Sequence, residues 1–239
     1  MSGMLDGGPQ DCKSWLMSTD AQISQYVFPD PCDADADGLL AAGGDLAVAT
    51  LLSAYRSGIF PWYEEGGPIL WWSPDPRMVL FPGAFHCSRR LARRMRQGAM
   101  RISMDQAFSE VMQGCAMREE GTWILPEMMQ AYQALFASGH ARSVEVWQGD
   151  ALVGGLYGVY IGRVFFAESM FSRVRDASKM ALAHLAQQAR EQDWLMIDCQ
   201  FHTEHLQSLG AVEIPRTEFL QYLPEGIHHP KRVVREYGG

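Results

Sequence analysis

The chain has 239 residues, 47% of them hydrophobic, which is enough to bury a core in one domain with at most a small second domain. Its formal net charge of −8 argues, taken as a sum, against a nucleic-acid-binding protein. No apolar run approaches the roughly 20 residues of a membrane helix, and MSGMLDGGPQD lacks the basic and apolar regions of a signal peptide, so we expect a cytoplasmic protein.

Residues 1–75 are predicted to form a small, irregular N-terminal domain. They contain 11 acidic and two basic residues and are rich in Pro, Gly and Asp. One amphipathic helix is expected over 46–57, with Asp45 as N-cap and Gly58 as its end. Its inward face should carry Leu51, Leu52 and Tyr55. Near the end of the segment stand Trp62, Trp71 and Trp72, which suit either a core or a platform for stacking on a base.

An arginine-rich segment follows. Between Pro76 and Met104 there is no acidic residue, and five of the seven arginines lie in SRRLARRMRQ, where a helix over 88–97 is expected. Such a run is as often a solvated helix face as a binding site. The use of arginine favours phosphate contact, because guanidinium pairs with phosphate in a bidentate fork. These arginines are Arg89, Arg90, Arg93, Arg94 and Arg96.

Residues 76–239 show a regular pattern that predicts an α+β domain. Strands are expected at RMVLF and MRISM, and helices at 106–117, capped by Asp105, and at 126–138. A β-meander of SVEVWQ, ALVGGLYGVY and RVFFAES comes next, then a helix over 177–190 capped by Asp176, the strand WLMIDCQ and the short helix TEHLQSLG. This order indicates a mixed, largely antiparallel sheet and suits an N-acetyltransferase-like fold.

Polar residues end the strand LMIDCQ. Alternate residues of a strand share a face, so Asp198 and Gln200 should point to one side and Cys199 to the other, as a packed thiol. The spacing of Cys199, His202 and His205 could suit a metal, but no fourth ligand is evident, and we predict no metal site. The five cysteines include no C-x-x-C pair, which also argues against a disulfide framework.

Glu168 ends the aromatic strand VFFAES. A carboxylate beside Phe165 and Phe166 is costly to desolvate without a partner, and such charges often mark functional sites. A helix-capping or backbone-bonding role is the alternative. If the strands of Glu168 and Asp198 are neighbours, both carboxylates line one mouth.

Ten blocks of the sequence, in order from about residue 28 to 223, resemble the bacterial leucyl/phenylalanyl-tRNA–protein transferases. They are FPDPCDADADGLLAAGGDL, LLSAYRSGIFPWY, PILWWSPDPR, EEGTWI, SVEVW, LVGGLYGV, ESMFS, ASK, IDCQ and SLGAVEIPRTEF. The series carries the resemblance, since no single block is decisive. It implies a small N-terminal domain followed by an acetyltransferase-like domain, as the residue pattern also indicates.

The resemblance implies a set of site residues. The catalytic pair falls on Asp198 and Gln200, with Glu168 as a further acid, and the adenosine-stacking tryptophans fall on Trp62 and Trp123. The pocket for the aminoacyl side chain falls on Leu156, Phe165, Met170, Leu182, Leu185 and Ile197. Two departures are Ala167, where Gly is expected, and Arg142, where His is expected; the extra methyl of Ala167 narrows the expected pocket mouth.

The implied reaction moves Leu or Phe, with Met tolerated, from aminoacyl-tRNA to proteins that begin with Lys or Arg, marking them for degradation through the N-degron pathway. The ester donor is activated, so we expect no cofactor. Asp198 is expected to orient Gln200 and to offset the positive charge that develops on the attacking amine. The carbonyl of Gln200 would accept a hydrogen bond from that amine. Glu168 would hold the cationic N-terminal Lys or Arg of the acceptor. The arginine cluster would contact the tRNA backbone, and the protein should act as a monomer.

Two other functions fit the fold. A coenzyme A-dependent N-acetyltransferase needs a glycine-containing loop at the start of the central helix, and FSRVRDASKMAL has no glycine. A non-catalytic RNA- or peptide-binding module would be favoured by loss of Asp198 or Gln200, and both residues are present.

Overall fold

The computed structural model describes residues 24–117 and 124–228. The N-terminal part contains β1 (Leu39–Ala42), α1 (Val48–Arg56), β2 (Phe60–Pro61) and β3 (Leu70–Trp72). The three strands form an antiparallel sheet in the order β1-β3-β2. As predicted, α1 buries Leu51, Leu52 and Tyr55, and the chain leaves the helix at Gly58, whose positive φ of 76° suits glycine.

A larger mixed sheet follows. Its part of the chain contains β4 (Arg77–Leu80), α2 (Arg89–Arg96), β5 (Arg101–Met104), α3 (Phe108–Ala116), α4 (Pro126–Ala137), β6 (Ala141–Gln148), β7 (Ala151–Ile161), β8 (Val164–Ser172), α5 (Ala177–Glu191), β9 (Met196–Gln200), α6 (Glu204–Ser208), β10 (Val212–Ile214) and α7 (Arg216–His228). The strand order is β10-β4-β9-β8-β7-β6-β5, and every neighbouring pair is antiparallel except β8 and β9. The predicted α+β class and the mixed, largely antiparallel sheet are confirmed.

The parallel pair β8 and β9 positions the candidate site. α5 connects the two strands, so both run in the same direction and end at the same edge of the sheet. Their pairing extends only to Phe166 opposite Asp198, although each strand continues beyond that point. The polar residues that follow Phe166 and Asp198 therefore lie together where the two strands part.

Two irregularities of the sheet fall at this edge. The register of β7 with β8 shifts between Tyr157 and Gly158, which leaves Glu168 as the extra residue of a β-bulge. The register of β9 with β4 shifts at Cys199 in the same way. A bulge bends its strand and re-aims the side chain at that position, so both strand ends turn toward the site.

A continuous apolar core joins the N-terminal part to the larger sheet. Tyr55 of α1 lies in one cluster with Tyr157 and Phe166, and the rings of Tyr55 and Phe166 have centroids 5.1 Å apart. A second cluster on the other face of the sheet holds Phe165 and Ile197 together with the inner side of α5. The domain boundary at residue 75 stays a prediction.

Two of the three predicted helix caps are wrong, and the third lies at the predicted position but makes no capping bond. Asp45 lies before the N-cap residue Ala47 and accepts hydrogen bonds from the Ala47 amide and the Thr50 hydroxyl. Asp105 instead accepts from the Ser143 amide of β6. Asp176 occupies the N-cap position of α5 but makes no capping bond, because its carboxylate pairs with an arginine of α2. In each case the carboxylate makes a contact other than the predicted capping hydrogen bond.

Within the described ranges, no helix is long and apolar enough to cross a membrane.

Candidate active site

A cavity of about 610 Å³ opens where β8 and β9 part. β2, the ends of β8 and β9, and helices α5 and α6 surround it. Its lining residues are Phe60, Pro61, Trp62, Leu156, Ala167, Glu168, Ser169, Met170, Leu182, Cys199, Gln200, Phe201, Thr203, His205 and Leu206. The wall is mostly apolar and the polar groups are few, which is the usual composition of a small-molecule site.

Glu168 is a buried carboxylate with three hydrogen-bond donors. Its side chain accepts from Tyr55 Oη at 2.8 Å, from Tyr132 Oη at 2.9 Å and from Gln200 Nε2 at 3.1 Å. Burial raises the pKa of the Glu168 carboxyl to about 7, although the three hydrogen bonds act in the opposite direction. Burial, followed by the charge of Glu168, raises the pKa of both tyrosines well above the ordinary value. The tyrosines are therefore neutral donors at physiological pH.

Gln200 is held at two points and has an unusual backbone. Its amide N donates to Asp198 Oδ1 at 3.0 Å, and its side-chain Nε2 donates to Glu168. Its φ of 62° lies in the left-handed region, which costs a non-glycine residue of the order of 1–3 kcal/mol and persists only where the surroundings impose it. The side-chain carbonyl accepts no hydrogen bond from any residue in the described part of the chain, and the residue borders the cavity. That oxygen is available to a ligand.

Asp198 lies behind Gln200 and is paired with Arg77. Arg77 Nε and Nη2 donate to the two carboxylate oxygens at 2.8 and 2.6 Å, and neither side chain is exposed to solvent beyond 1%. Arg77 also donates to the Gly58 carbonyl at 3.2 Å and stacks between the rings of Phe60 and Phe219, with centroids 4.8 and 4.6 Å away. Sequence reasoning did not single out Arg77, because its partner lies 121 residues away.

Aromatic rings form the rim of the cavity. Trp62 is 41% exposed, and its ring centroid is 5.4 Å from those of both Trp72 and Phe201. Trp72 Nε1 donates to the Trp62 carbonyl at 2.6 Å, which holds the rim strand in place. A half-exposed indole on a fixed strand is suited to stacking on a base. Trp123, the second predicted stacking residue, lies outside the described residues.

The predicted side-chain pocket divides into two groups. Leu156, Met170 and Leu182 line the cavity. Phe165, Leu185 and Ile197 are fully buried in the core cluster and are not among the cavity's lining residues. Sequence reasoning assigned no pocket role to Cys199, Phe201, His205 and Leu206, although they line the same space. For Cys199, the alternation of β9 indicated a packed thiol and not a cavity wall.

The two departures from the family pattern occupy different places. Ala167 lies in the cavity wall, so its methyl group faces the space that a ligand would use. Arg142 lies on β6, where its Nε is 3.1 Å from Asp105 Oδ2 and its guanidinium lies 5.6 Å from the Tyr160 ring centroid. Ala167 therefore bears on ligand shape, while Arg142 belongs to an ion pair.

The arginine-rich segment forms helix α2 as predicted, with the Ser88 hydroxyl as N-cap. The helix packs Leu91 inward, and exposed on its surface are Arg89, Arg90, Arg93 and Arg96. Arg94 Nη1 is 3.2 Å from Asp176 Oδ2, which ties α2 to the start of α5. A shallow depression of about 380 Å³ is lined by three of the arginines. The exposed guanidinium groups form a local positive surface on a chain with net negative charge.

Protein-family models and curated proteins that match this chain all carry the same family description. The model described as leucyl/phenylalanyl-tRNA protein transferase matches residues 79–224, and the model of its N-terminal domain matches residues 44–75. The chain is 52% identical over 207 residues to the leucyl/phenylalanyl-tRNA–protein transferase of Solidesulfovibrio magneticus, covering 85% of this chain and 84% of that protein. It is 50% identical over 222 residues to the protein of the same name from Ectopseudomonas mendocina, covering 91% and 98%.

Two solved structures of low sequence identity are similar to part of this chain. A GCN5-related N-acetyltransferase from Kribbella flavida has a TM-score of 0.37 and 12% identity, covering 68% of this chain and 59% of that chain. The C-terminal domain of a putative lysylphosphatidylglycerol synthetase from Agrobacterium fabrum has a TM-score of 0.39 and 12% identity, covering 66% and 53%. Similarity at this level carries no argument about function. The family-model matches and the close relatives do: the chain belongs to the leucyl/phenylalanyl-tRNA protein transferase family.

Proposed function

We propose that this protein transfers Leu or Phe from aminoacyl-tRNA to the α-amine of proteins that begin with Lys or Arg. The acceptors would thereby be marked for degradation through the N-degron pathway in the cytoplasm, by a protein acting as a monomer. Family membership supports aminoacyl transfer from tRNA to protein. The choice of Leu and Phe, the acceptor residues, the location and the oligomeric state are parts of the proposal.

One observation carries the proposal: a single cavity joins an apolar wall, an unsatisfied amide carbonyl and an exposed indole. The aminoacyl side chain would lie against Leu156, Met170 and Leu182, and the terminal adenosine would stack on Trp62. The ester between these two groups would then lie near Gln200. An apolar wall discriminates one methylene by only about 1–3 kcal/mol, so Met should also be accepted to some extent.

The reaction requires mainly that the protein positions the acceptor amine and the ester. The acceptor nitrogen attacks the ester carbonyl, a C–N bond forms, the bond to the ribose oxygen breaks, and the proton lost by the amine ends on that oxygen. An α-amine has a pKa of about 7.7–8.0, so roughly a tenth is neutral near pH 7 and deprotonation costs only about 1 kcal/mol. Holding amine and ester in line can lower the barrier by about 7–11 kcal/mol. Geometry is therefore the dominant contribution.

The site residues take distinct parts in this scheme. The carbonyl of Gln200 accepts a hydrogen bond from the attacking amine and so points its lone pair at the ester. Asp198 fixes the Gln200 backbone through the 3.0 Å hydrogen bond. Arg77 already neutralises Asp198, which makes orientation the main contribution of this carboxylate. The exposed arginines of α2 would contact the tRNA backbone, mostly through charge.

Transfer of labelled Leu from charged tRNA to a peptide with N-terminal Arg tests the proposal. A peptide with N-terminal Ala serves as acceptor control, and acetyl-CoA replaces the charged tRNA in a second control. Gln200→Ala should lose most transfer, whereas Gln187→Ala, a matched change at an exposed glutamine of α5, should keep it. Full transfer by Gln200→Ala would remove Gln200 from the mechanism. No transfer by folded wild-type protein that binds charged tRNA would overturn the proposed function.

A further inference from the structure

Two tyrosines with no assigned part in the reaction lie beside the candidate active site. Tyr55 comes from α1 and Tyr132 from α4, and both side chains are fully buried. Their hydroxyls are 2.5 Å apart, and each is also within hydrogen-bond distance of one oxygen of Glu168, so two hydroxyl protons serve three contacts. Two helices distant in sequence thus converge on a single carboxylate. Burying a carboxylate in an apolar core costs desolvation free energy, and such a group is often found at a functional site.

The donors around Glu168 determine what it can do to Gln200. An ionised carboxylate only accepts hydrogen bonds, so the Gln200 group that faces it must be the NH₂. The carbonyl of the same planar amide then points away from Glu168, and it has no donor within the described residues. The orientation of this amide decides whether the cavity receives a hydrogen-bond acceptor or a donor.

We propose that Glu168 is a positioning residue that fixes the Gln200 amide with its carbonyl toward the acceptor amine. Tyr55 and Tyr132 serve this task because at least one of their two hydroxyl protons is always donated to the carboxylate, which favours its ionised, accepting form. This inference rests on the proposed function, since it concerns how that reaction's amine is received. It assigns Glu168 a different role from binding the acceptor's Lys or Arg side chain.

Burial and hydrogen bonding disfavour the cation-binding role. Glu168 is only 8% exposed, and its two oxygens already accept three hydrogen bonds at 2.8–3.1 Å. At most one of the roughly four acceptor positions of the carboxylate is left for a lysine, and a bidentate arginine contact would displace a tyrosine or the amide. Displacing the amide would also release Gln200, which the reaction needs in place.

Protonation of Glu168 reverses the arrangement. A protonated carboxyl can donate, so the Gln200 carbonyl can turn toward it and leave the NH₂ facing the cavity, where it cannot accept from an amine. The groups that face Glu168 are Tyr55 from α1, Tyr132 from α4, and Gln200 and the Arg77-paired Asp198 from β9. Burial raises the pKa of Glu168 to about 7, so the change falls within the working range. Transfer should therefore decline toward acid pH more steeply than protonation of the acceptor amine alone requires.

The test compares the pH profile of kcat/KM for an Arg-peptide among variants at saturating charged tRNA. Tyr132→Phe removes one hydroxyl from the contacts around the carboxylate and should move the acid limb upward by about one pH unit. Tyr63→Phe is the matched control, because it deletes a hydroxyl that bonds Glu127 instead of Glu168. The acceptor amine is the same in every reaction, so a shift between variants reports on the enzyme.

A second variant separates the two roles of Glu168. Glu168→Gln should lower kcat at all pH values, remove the Glu168 part of the acid limb, and leave the preference for an Arg-peptide over an Ala-peptide unchanged. Loss of that preference with kcat retained would assign Glu168 to the acceptor's side chain and overturn the inference. So would a Tyr132→Phe acid limb at the wild-type position. Absence of transfer by the wild type at every pH would overturn the proposed function itself.

Discussion

Replacing Arg77 with Met removes the positive partner of a fully buried carboxylate. Asp198 would keep the hydrogen bond from the Gln200 amide but lose both charge-assisted bonds from the guanidinium. The methionine fills most of the space between Phe60 and Phe219 but supplies no charge to their ring faces. The change therefore leaves an uncompensated charge in the core rather than a cavity.

The expected loss is large. Breaking a buried ion pair by removing one partner costs about 3–5 kcal/mol, because the remaining charge stays desolvated. For a chain of this size, about 1 kcal/mol corresponds to a shift of about 2–4 °C in Tm, so Tm should fall by about 6–20 °C. Arg77→Met combined with Asp198→Asn should lose less stability than Arg77→Met alone, since the double variant contains no unpaired charge.

Urea unfolding followed by tryptophan fluorescence measures these changes in the free energy of unfolding for the wild type, both single variants and the double variant. Arg77→Lys is the conservative control, because it keeps the charge but not the two parallel bonds, and it should lie between wild type and Arg77→Met. A loss below about 1 kcal/mol in Arg77→Met, or strict additivity in the double variant, would show that Asp198 does not depend on this pair.

Three further predictions concern other parts of the molecule. Changing Arg90 and Arg93 to Gln should flatten the dependence of log Kd for tRNA on log salt by about 0.7–0.9 per lost phosphate contact; filter binding over a salt series checks this, and an unchanged slope contradicts it. Leu182→Ala widens the cavity and should reduce kcat/KM for Leu-tRNA more than kcat/KM for Phe-tRNA, measured with the two charged tRNAs in competition. An equal reduction of both values would place Leu182 outside the side-chain pocket. Gly158→Ala should lower the free energy of unfolding by about 1–3 kcal/mol, because the new methyl would lie 2.1 Å from the Phe166 carbonyl oxygen. Gly83→Ala, where the methyl would meet open space, is the control and should keep the wild-type Tm in thermal unfolding. Equal Tm values for the two variants would contradict the prediction.

The local elements and the family could be predicted from the amino-acid sequence. The meander from β6 to β8, the arginine-rich helix and the helix between β8 and β9 all follow from hydrophobic periodicity and from turn residues such as Gly149 and Gly162, which are local signals. Ten ordered blocks carried the family resemblance. The helix caps were less certain, since an aspartate such as Asp105 can bond a neighbouring strand as readily as its own helix.

The assembly of the site, in contrast, depends on contacts between residues that are distant in the sequence. Glu168 meets Tyr55 across 113 residues of chain and Tyr132 across 36, and Asp198 meets Arg77 across 121. The bulge that aims Glu168 depends on the register of β7 against β8, which a single strand's alternation does not contain. The same holds for the apolar residues: periodicity marks Phe165 and Leu182 alike as buried. Both belong to one buried cluster, and only the packing of α5 and β9 places Leu182, but not Phe165, on the cavity wall.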